Sequence, residues 1–68
     1  MGLIENIAKN IEIKRKQNNL SIDRLSKKAN LSVSVINKIL GQKAKSILVD
    51  TLYSIAKALN CKMDDLVK

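Results

Sequence analysis

The side chains able to do chemistry in this chain are overwhelmingly cations. Thirteen of its 68 residues are Lys or Arg against six Asp or Glu, a net charge of +7. Their placement is uneven. Residues 9–45 carry Lys9, Lys14, Arg15, Lys16, Arg24, Lys27, Lys28, Lys38, Lys43 and Lys45 against Glu12 and Asp23 alone, a local +8, and the remainder has a local −1. Such a field opposes the compact state through self-repulsion and raises the local concentration of a polyanion. It points to a nucleic-acid partner more than to a merely soluble surface.

Other chemistry is thinly provided. No His is present, which removes the commonest general base and the commonest metal ligand. Cys61 stands alone, so no internal disulfide can form, and its apolar neighbours make it a small hydrophobe in a reducing compartment. Asp64 and Asp65 are adjacent, which points them apart on a helix, and no nucleophile has a base partner. The chain is therefore expected to be no enzyme and to need no metal or cofactor. The longest apolar run, Ile47-Leu48-Val49, is far too short to cross a membrane or to serve as a signal peptide, and the expected location is cytoplasmic. Leu3 to Lys16 could form a basic amphipathic helix at a membrane surface, but it has no Trp or Phe to anchor it and would leave the rest of the chain unexplained.

The elements that must position these cations belong to one small domain, residues 1–68, because the length leaves no room for a second core. Apolar residues make up 46% of the chain, Tyr53 is the single aromatic and Pro is absent, so the core is expected to be aliphatic and the fold helical. A first apolar stripe runs from Leu3 to about Asn18, with Ile4, Ile7, Ala8 and Ile11 on one face, Lys9, Lys14 and Lys16 off it, and Ile13 outside the pattern. Asn18-Asn19 supplies a stop, since Asn tolerates the left-handed conformation that a helix end commonly needs, and Leu20 follows as a buried linker residue. Ser21 then caps a short second helix, Ile22 to Lys28 or Ala29, in which Ile22, Leu25 and Ala29 share a face. Asn30 closes it, Leu31 packs inward, and Ser32 caps a third helix from Val33 to Leu40.

Gly41 is expected to end the third helix, and Gln42 to Ser46 to form a polar loop carrying Lys43 and Lys45. A fourth helix from about Leu48 to Leu59 would turn Val49, Leu52, Tyr53, Ala56 and Leu59 inward, with Ile55 widening the face. After Asn60, Met63 to Val67 makes a last turn or a short fifth helix, with Asp64 and Asp65 at its positive end. The expected fold is all-α, a compact bundle of five helices.

Two short helices joined by a tight turn, with an apolar residue in the turn and a Ser cap on the second helix, form the arrangement needed to insert one helix into a DNA groove. The segment Leu20-Ser21-Ile22-Asp23-Arg24-Leu25-Ser26-Lys27-Lys28-Ala29-Asn30-Leu31-Ser32-Val33-Ser34-Val35-Ile36-Asn37-Lys38-Ile39 resembles the Cro and lambda-repressor-like helix-turn-helix family, also called the XRE family. The likeness continues through Asp50-Thr51-Leu52, Ile55-Ala56-Lys57-Ala58-Leu59 and Asp64-Asp65-Leu66, and so spans residues 7–67. It implies a helix-turn-helix over about residues 21–40 and a lambda-repressor-like domain that binds double-stranded operator DNA, usually as a two-fold homodimer. Most members of that family are transcriptional repressors, among them phage repressors, restriction-modification controllers and antitoxin components.

Carried over by position, the resemblance makes Ser32, Val33, Ser34, Asn37 and Lys38 the groove-facing residues, with Val35 near the DNA and Ile36 and Ile39 in the core. Asn37 has the donor and acceptor to pair with adenine, Lys38 can donate to guanine N7 and O6, Val33 can pack on a thymine methyl, and Ser34 accepts either partner. Phosphate anchoring on both sides of that helix falls to Ser21, to Lys43 and Lys45, and to Lys14, Arg15 and Lys16, with Arg24, Lys27 and Lys28 as further candidates. Tyr53, Met63, Leu66 and Val67 are the apolar residues offered to a dimer contact, ordinary core packing being their alternative role.

Some positions depart from the family pattern. Ile22 stands where Gln is common, so one phosphate clamp is lost. The usual Glu partner of Arg15, at the end of the third helix, is Leu40, which leaves Arg15 to face a phosphate or to reach water. Gly41 comes one position early, and Ile47 replaces the customary Pro before the fourth helix. Val33 and Val35 shift specificity from hydrogen bonding toward methyl contacts and DNA shape. With Ile22, they also support an alternative function for the same fold, a module that holds a protein partner with DNA contact secondary.

Overall fold

The computed structural model describes residues 2–68, in which five α-helices follow one another and no strand is present. They are α1 (Leu3–Gln17), α2 (Ile22–Ala29), α3 (Val33–Leu40), α4 (Val49–Ala58) and α5 (Met63–Val67). The sequence reading of an all-α five-helix bundle holds, and its helix limits move by no more than a residue at either end.

Helix α1 is the spine. It packs on α3 along one side and on α5 along another, while α2 bridges α3 and α4. Ile7, Ala8 and Ile11 are buried on it as the periodicity predicts, and Ile13 is left exposed. Leu25 and Ala29 from α2, Ile36 and Ile39 from α3, Ile55, Ala56 and Leu59 at α4, and Leu66 from α5 complete one aliphatic core. Two asparagines tie the spine to the far elements through long-range hydrogen bonds: Asn10 Nδ2 donates to the Leu66 carbonyl at 2.9 Å and Asn18 Nδ2 to the Leu59 carbonyl at 3.3 Å. The first satisfies an orphan carbonyl at the end of α5 and the second the cap residue of α4, where the helices have no further turn of their own to do so.

Two expectations about the apolar faces are corrected. Val49 and Tyr53 do not join the core, being 67% and 54% exposed. The inward stripe of α4 is Leu52, Ile55, Ala56 and Leu59, spaced i, i+3, i+4 and i+7, and at about 3.6 residues per turn Tyr53 lies about 110° round from its centre. Leu66, offered to a dimer contact, is fully buried inside its own protomer and leaves nothing for a partner to touch.

Each of the first four helices is followed by one residue in the left-handed region: Asn19 (φ 55°), Asn30 (φ 57°), Gln42 (φ 59°) and Asn60 (φ 58°). Three are Asn, for which that conformation is locally cheap. Gly41 ends α3 as expected, being its C-cap, but at φ −81° it is an ordinary backbone position; the left-handed turn passes through Gln42, the fourth of these residues. The glycine is one residue early, so a longer side chain carries the strained conformation.

Arg15 also differs from expectation. Its Nε donates to Glu12 Oε2 at 3.2 Å, Nη2 is paired with Glu12 Oε1, and Nη1 donates to the Leu20 carbonyl at 2.6 Å. The partner missing from α3 is thus supplied one turn back on the same helix, and with 15% of its side chain exposed the guanidinium neither reaches out to water nor presents a free fork. It fastens the end of α1 to the strap that leads into α2. The Arg15 hydrogen bonds hold the Glu12 carboxyl below its usual range against the opposing effect of burial, and raise Arg15 in turn.

Two predictions follow from this wiring. Gln42→Gly should raise stability in urea unfolding by about 0.5–1 kcal/mol, the relief of the left-handed penalty exceeding the entropy that Gly adds to the unfolded chain; a loss of stability would contradict the turn as described. Because the Glu12 value is depressed on folding, its contribution is complete above the ordinary carboxyl value of 4.5 and fades as pH falls through the folded value. Glu12→Gln should therefore cost on the order of 1 kcal/mol at neutral pH, the carboxylate being one-third exposed and so partly screened, and the deficit should shrink as the pH is lowered below 4.5.

Candidate nucleic-acid interface

Ser21 and Ser32 set the two helices of the motif. Ser21 Oγ accepts the Arg24 amide at 3.1 Å and Ser32 Oγ accepts the Val35 amide at 3.2 Å, so each hydroxyl satisfies one orphan donor at its helix start. Between them, Asn30 turns the chain in the left-handed conformation and the Leu31 amide returns to the Ser26 carbonyl at 2.9 Å. Ser26 is buried, its hydroxyl donating to the Asp23 carbonyl at 2.6 Å, and its small size suits a site closed over by neighbouring elements.

Helix α3 is thereby presented edge-on. Ile36 and Ile39 are 1% and 3% exposed, while Ser32, Ser34, Asn37 and Lys38 are exposed and Val33 is partly so. All five residues expected to face a groove therefore lie on the outward side, and Ser34, Asn37 and Lys38 form one continuous strip at i, i+3 and i+4. Val35 is turned away from this strip: it is half-buried against the core, where it lines a cleft with Ile39, Ala44 and Ile47. Ile22 is half-buried too. Of the three apolar residues expected on or near the face, only Val33 is open to a partner.

The cations divide into those beside α3 and those elsewhere. The loop after α3 is pinned by Ala44 and Ile47, which pack on the core, and by the Lys43 amide, which donates to the Lys38 carbonyl at 2.9 Å. This leaves the side chains of Lys43 and Lys45 exposed next to the end of α3. At the end of α1, Lys16 is exposed and lies 3.9 Å from Glu12, a loose pair that leaves it mobile enough to serve a phosphate. Arg15 is occupied by Glu12 and the Leu20 carbonyl. Lys14 is only half exposed and lies close enough to Cys61 for its charge to favour the thiolate, which puts it by the α4–α5 turn; burial outweighs it and holds that thiol above its ordinary value. Lys27 pairs with Asp23 at 3.3 Å on the exposed side of α2.

One cation was missed by the sequence reading of this face. Lys9 lines a groove between α1 and α3 together with Asn37, Gly41 and Gln42. Its position just off the apolar stripe of α1 marked it only as solvent-facing, and the packing of α1 on α3 is what brings it beside the strip. A row of hydrogen-bonding side chains on an exposed helix face, flanked by Lys9, Lys43 and Lys45 and by the Ser-capped starts of α2 and α3, can bind a duplex by major-groove contacts and phosphate clamps.

Replacing Lys9 with Gln should weaken binding to duplexes of any sequence alike and lower the log–log salt slope by about 0.9 per subunit, read by fluorescence anisotropy between about 50 and about 200 mM salt. An unchanged slope would remove Lys9 from the interface.

Comparison with protein families finds a match over residues 10–68 to the Cro/C1-type HTH DNA-binding domain. Comparisons with curated proteins and with solved structures give no match.

Proposed function

This chain belongs to the Cro/C1-type helix-turn-helix DNA-binding family, and from that premise we propose that it is a transcriptional regulator that represses by occupying a two-fold symmetric operator as a homodimer. Helix α3 enters the major groove. With its side chains an α-helix is about 10–12 Å across, matched to a groove about 12 Å wide. Ser32, Val33, Ser34, Asn37 and Lys38 read base edges, and Ser21, Lys9, Lys16, Lys43 and Lys45 hold phosphates on either side. Arg15 acts from behind, by fixing the strap before Ser21. Occupation alone excludes other proteins from the site, so the mechanism calls for no cofactor and no chemistry beyond binding.

The observation that carries this reading is the exposed strip Ser34, Asn37 and Lys38 on a helix whose opposite side is locked into the core. The rival reading, a protein-partner module using the same face, drew on Ile22, Val33 and Val35. With Ile22 and Val35 packed against the core, that face has too little apolar surface to suit a protein groove.

Selection of the purified protein on a random duplex pool, with sequencing of what is retained, tests the proposal. A two-fold symmetric motif with half-sites about one helical turn apart is expected. Asn37→Ala and Lys38→Ala should each cost about 1–3 kcal/mol and relax preference at one position of the half-site, whereas Lys43→Ala should weaken all sequences equally. Salt-sensitive binding without enrichment would overturn the operator-reading role.

A further inference from the structure

Gln42 holds a strained backbone that nothing in its turn requires. Of the four residues in the left-handed region among those described, three are Asn, and only at Gln42, with φ 59°, does a longer side chain carry that conformation. Gly41, which could adopt it freely, stands one residue earlier at φ −81°. The turn is closed by backbone hydrogen bonds alone: the Gln42 main-chain N–H donates to the Ile39 carbonyl at 3.0 Å and that of Lys43 to the Lys38 carbonyl at 2.9 Å. Among the described residues the side-chain amide of Gln42 enters no hydrogen bond. Strain that the fold does not need points to a use for the side chain, and residues of this kind gather at binding sites.

The surroundings of the side chain indicate the use. Gln42 is exposed and lines, with Lys9 and Asn37, the groove of about 550 Å³ between α1 and α3. Glu12 is the one acid on the walls of this groove, and Arg15 takes up its carboxylate. An ammonium and two amides thus border an opening beside the reading strip, with the single acid already paired. Gln42 comes after the end of α3, beyond Asn37 and Lys38. A helix that reads bases with its first turns meets the sugar-phosphate wall of the groove at this end. A side-chain amide there can donate to a phosphate oxygen, a charge-assisted hydrogen bond that Gly at the same position could not make. Since the glycine of the family pattern would fall at position 42, such a contact belongs to this chain and not to the family.

We propose that Gln42 is a DNA-contacting residue, its Nε2 donating to a phosphate oxygen beside Lys9, and that the left-handed strain is retained for this contact. The inference deepens the DNA-binding reading above and rests on it for the duplex, though not for any operator sequence. The turn is less stable than it could be, and the duplex is held more tightly.

Urea unfolding of the full chain and its binding to duplex by fluorescence anisotropy, measured on the same variants, are the test. Gln42→Gly, the more stable form of the turn, should bind duplex about tenfold more weakly. Gln42→Leu keeps the strain and nearly the length but has no amide, and should show the same loss at nearly unchanged stability, which separates the missing amide from a slackened loop. Gln42→Glu should bind more weakly than Gln42→Leu, because a phosphate repels the carboxylate. The loss in Gln42→Leu should be equal on every duplex sequence, with the log–log salt slope within about 0.3 of the unaltered chain's, since a neutral donor releases no counterion. Gly and Leu variants that bind as well as the unaltered chain, a loss in Gln42→Gly that Gln42→Leu does not share, a Glu variant no weaker than the Leu variant, or a loss confined to one base position overturns the proposal. If a random duplex pool returns no motif while the Gln42 variants still lose affinity for an arbitrary duplex, the phosphate contact stands and the operator-reading role falls instead.

Discussion

Burial of Ile36 and Ile39 is the constraint on which the rest of this molecule depends. An eight-residue helix is too short to persist in water alone, so α3 exists because its apolar stripe is closed against its neighbours in the core. The same burial fixes its rotation. A turn of one residue, about 100°, would carry Ile36 toward solvent and Asn37 toward the core, where its amide would lack partners. Packing on one side therefore dictates the hydrogen-bonding strip on the other. Ser21, Ser32 and Asn30 refine the geometry, but they act on helices whose orientation the core has already set.

The charges are arranged around that strip by similar means. Arg15 has the composition of a phosphate ligand, yet Glu12 and the Leu20 carbonyl take up its fork, and it becomes a fastening between α1 and the strap before α2. Lys9, by contrast, gains its position from the contact between α1 and α3. Two cations on one helix thus exchange the roles that their sequence surroundings suggest. What decides between them is whether an acceptor lies within reach inside the protomer: a guanidinium with such an acceptor is held, and an ammonium without one remains free for an anion.

At the opposite end the molecule leaves aliphatic side chains in water and few net charges. A domain of 68 residues buries a smaller fraction of its surface than a larger one, and every exposed Leu or Val is an unspent part of its hydrophobic driving force. The two surfaces meet at the loop after α3, whose Lys45 lines an apolar groove as well as flanking the strip. A DNA-facing helix can remain open while the other pole is covered.

Much of this was legible in the sequence. Helical periodicity, three Asn stops and two Ser caps define five helices and the turn between α2 and α3, because caps and apolar stripes are local properties that a short window of residues encodes. The set Ser32, Val33, Ser34, Asn37 and Lys38 was implied by the family resemblance, position by position, and the burial of Ile36 and Ile39 on the other side of α3 leaves all five outward. Only the tertiary structure decided that Tyr53 and Val49 stay in water while Leu66 is enclosed, that Gln42 and not Gly41 makes the left-handed turn, that Arg15 folds back onto Glu12, and that Lys9 stands beside Asn37. Each of these depends on which neighbour arrives from a distant part of the chain and how far the core extends beneath a given turn. Periodicity gives the direction a side chain points along its own helix; whether another element or solvent meets it there is fixed by the packing of all five.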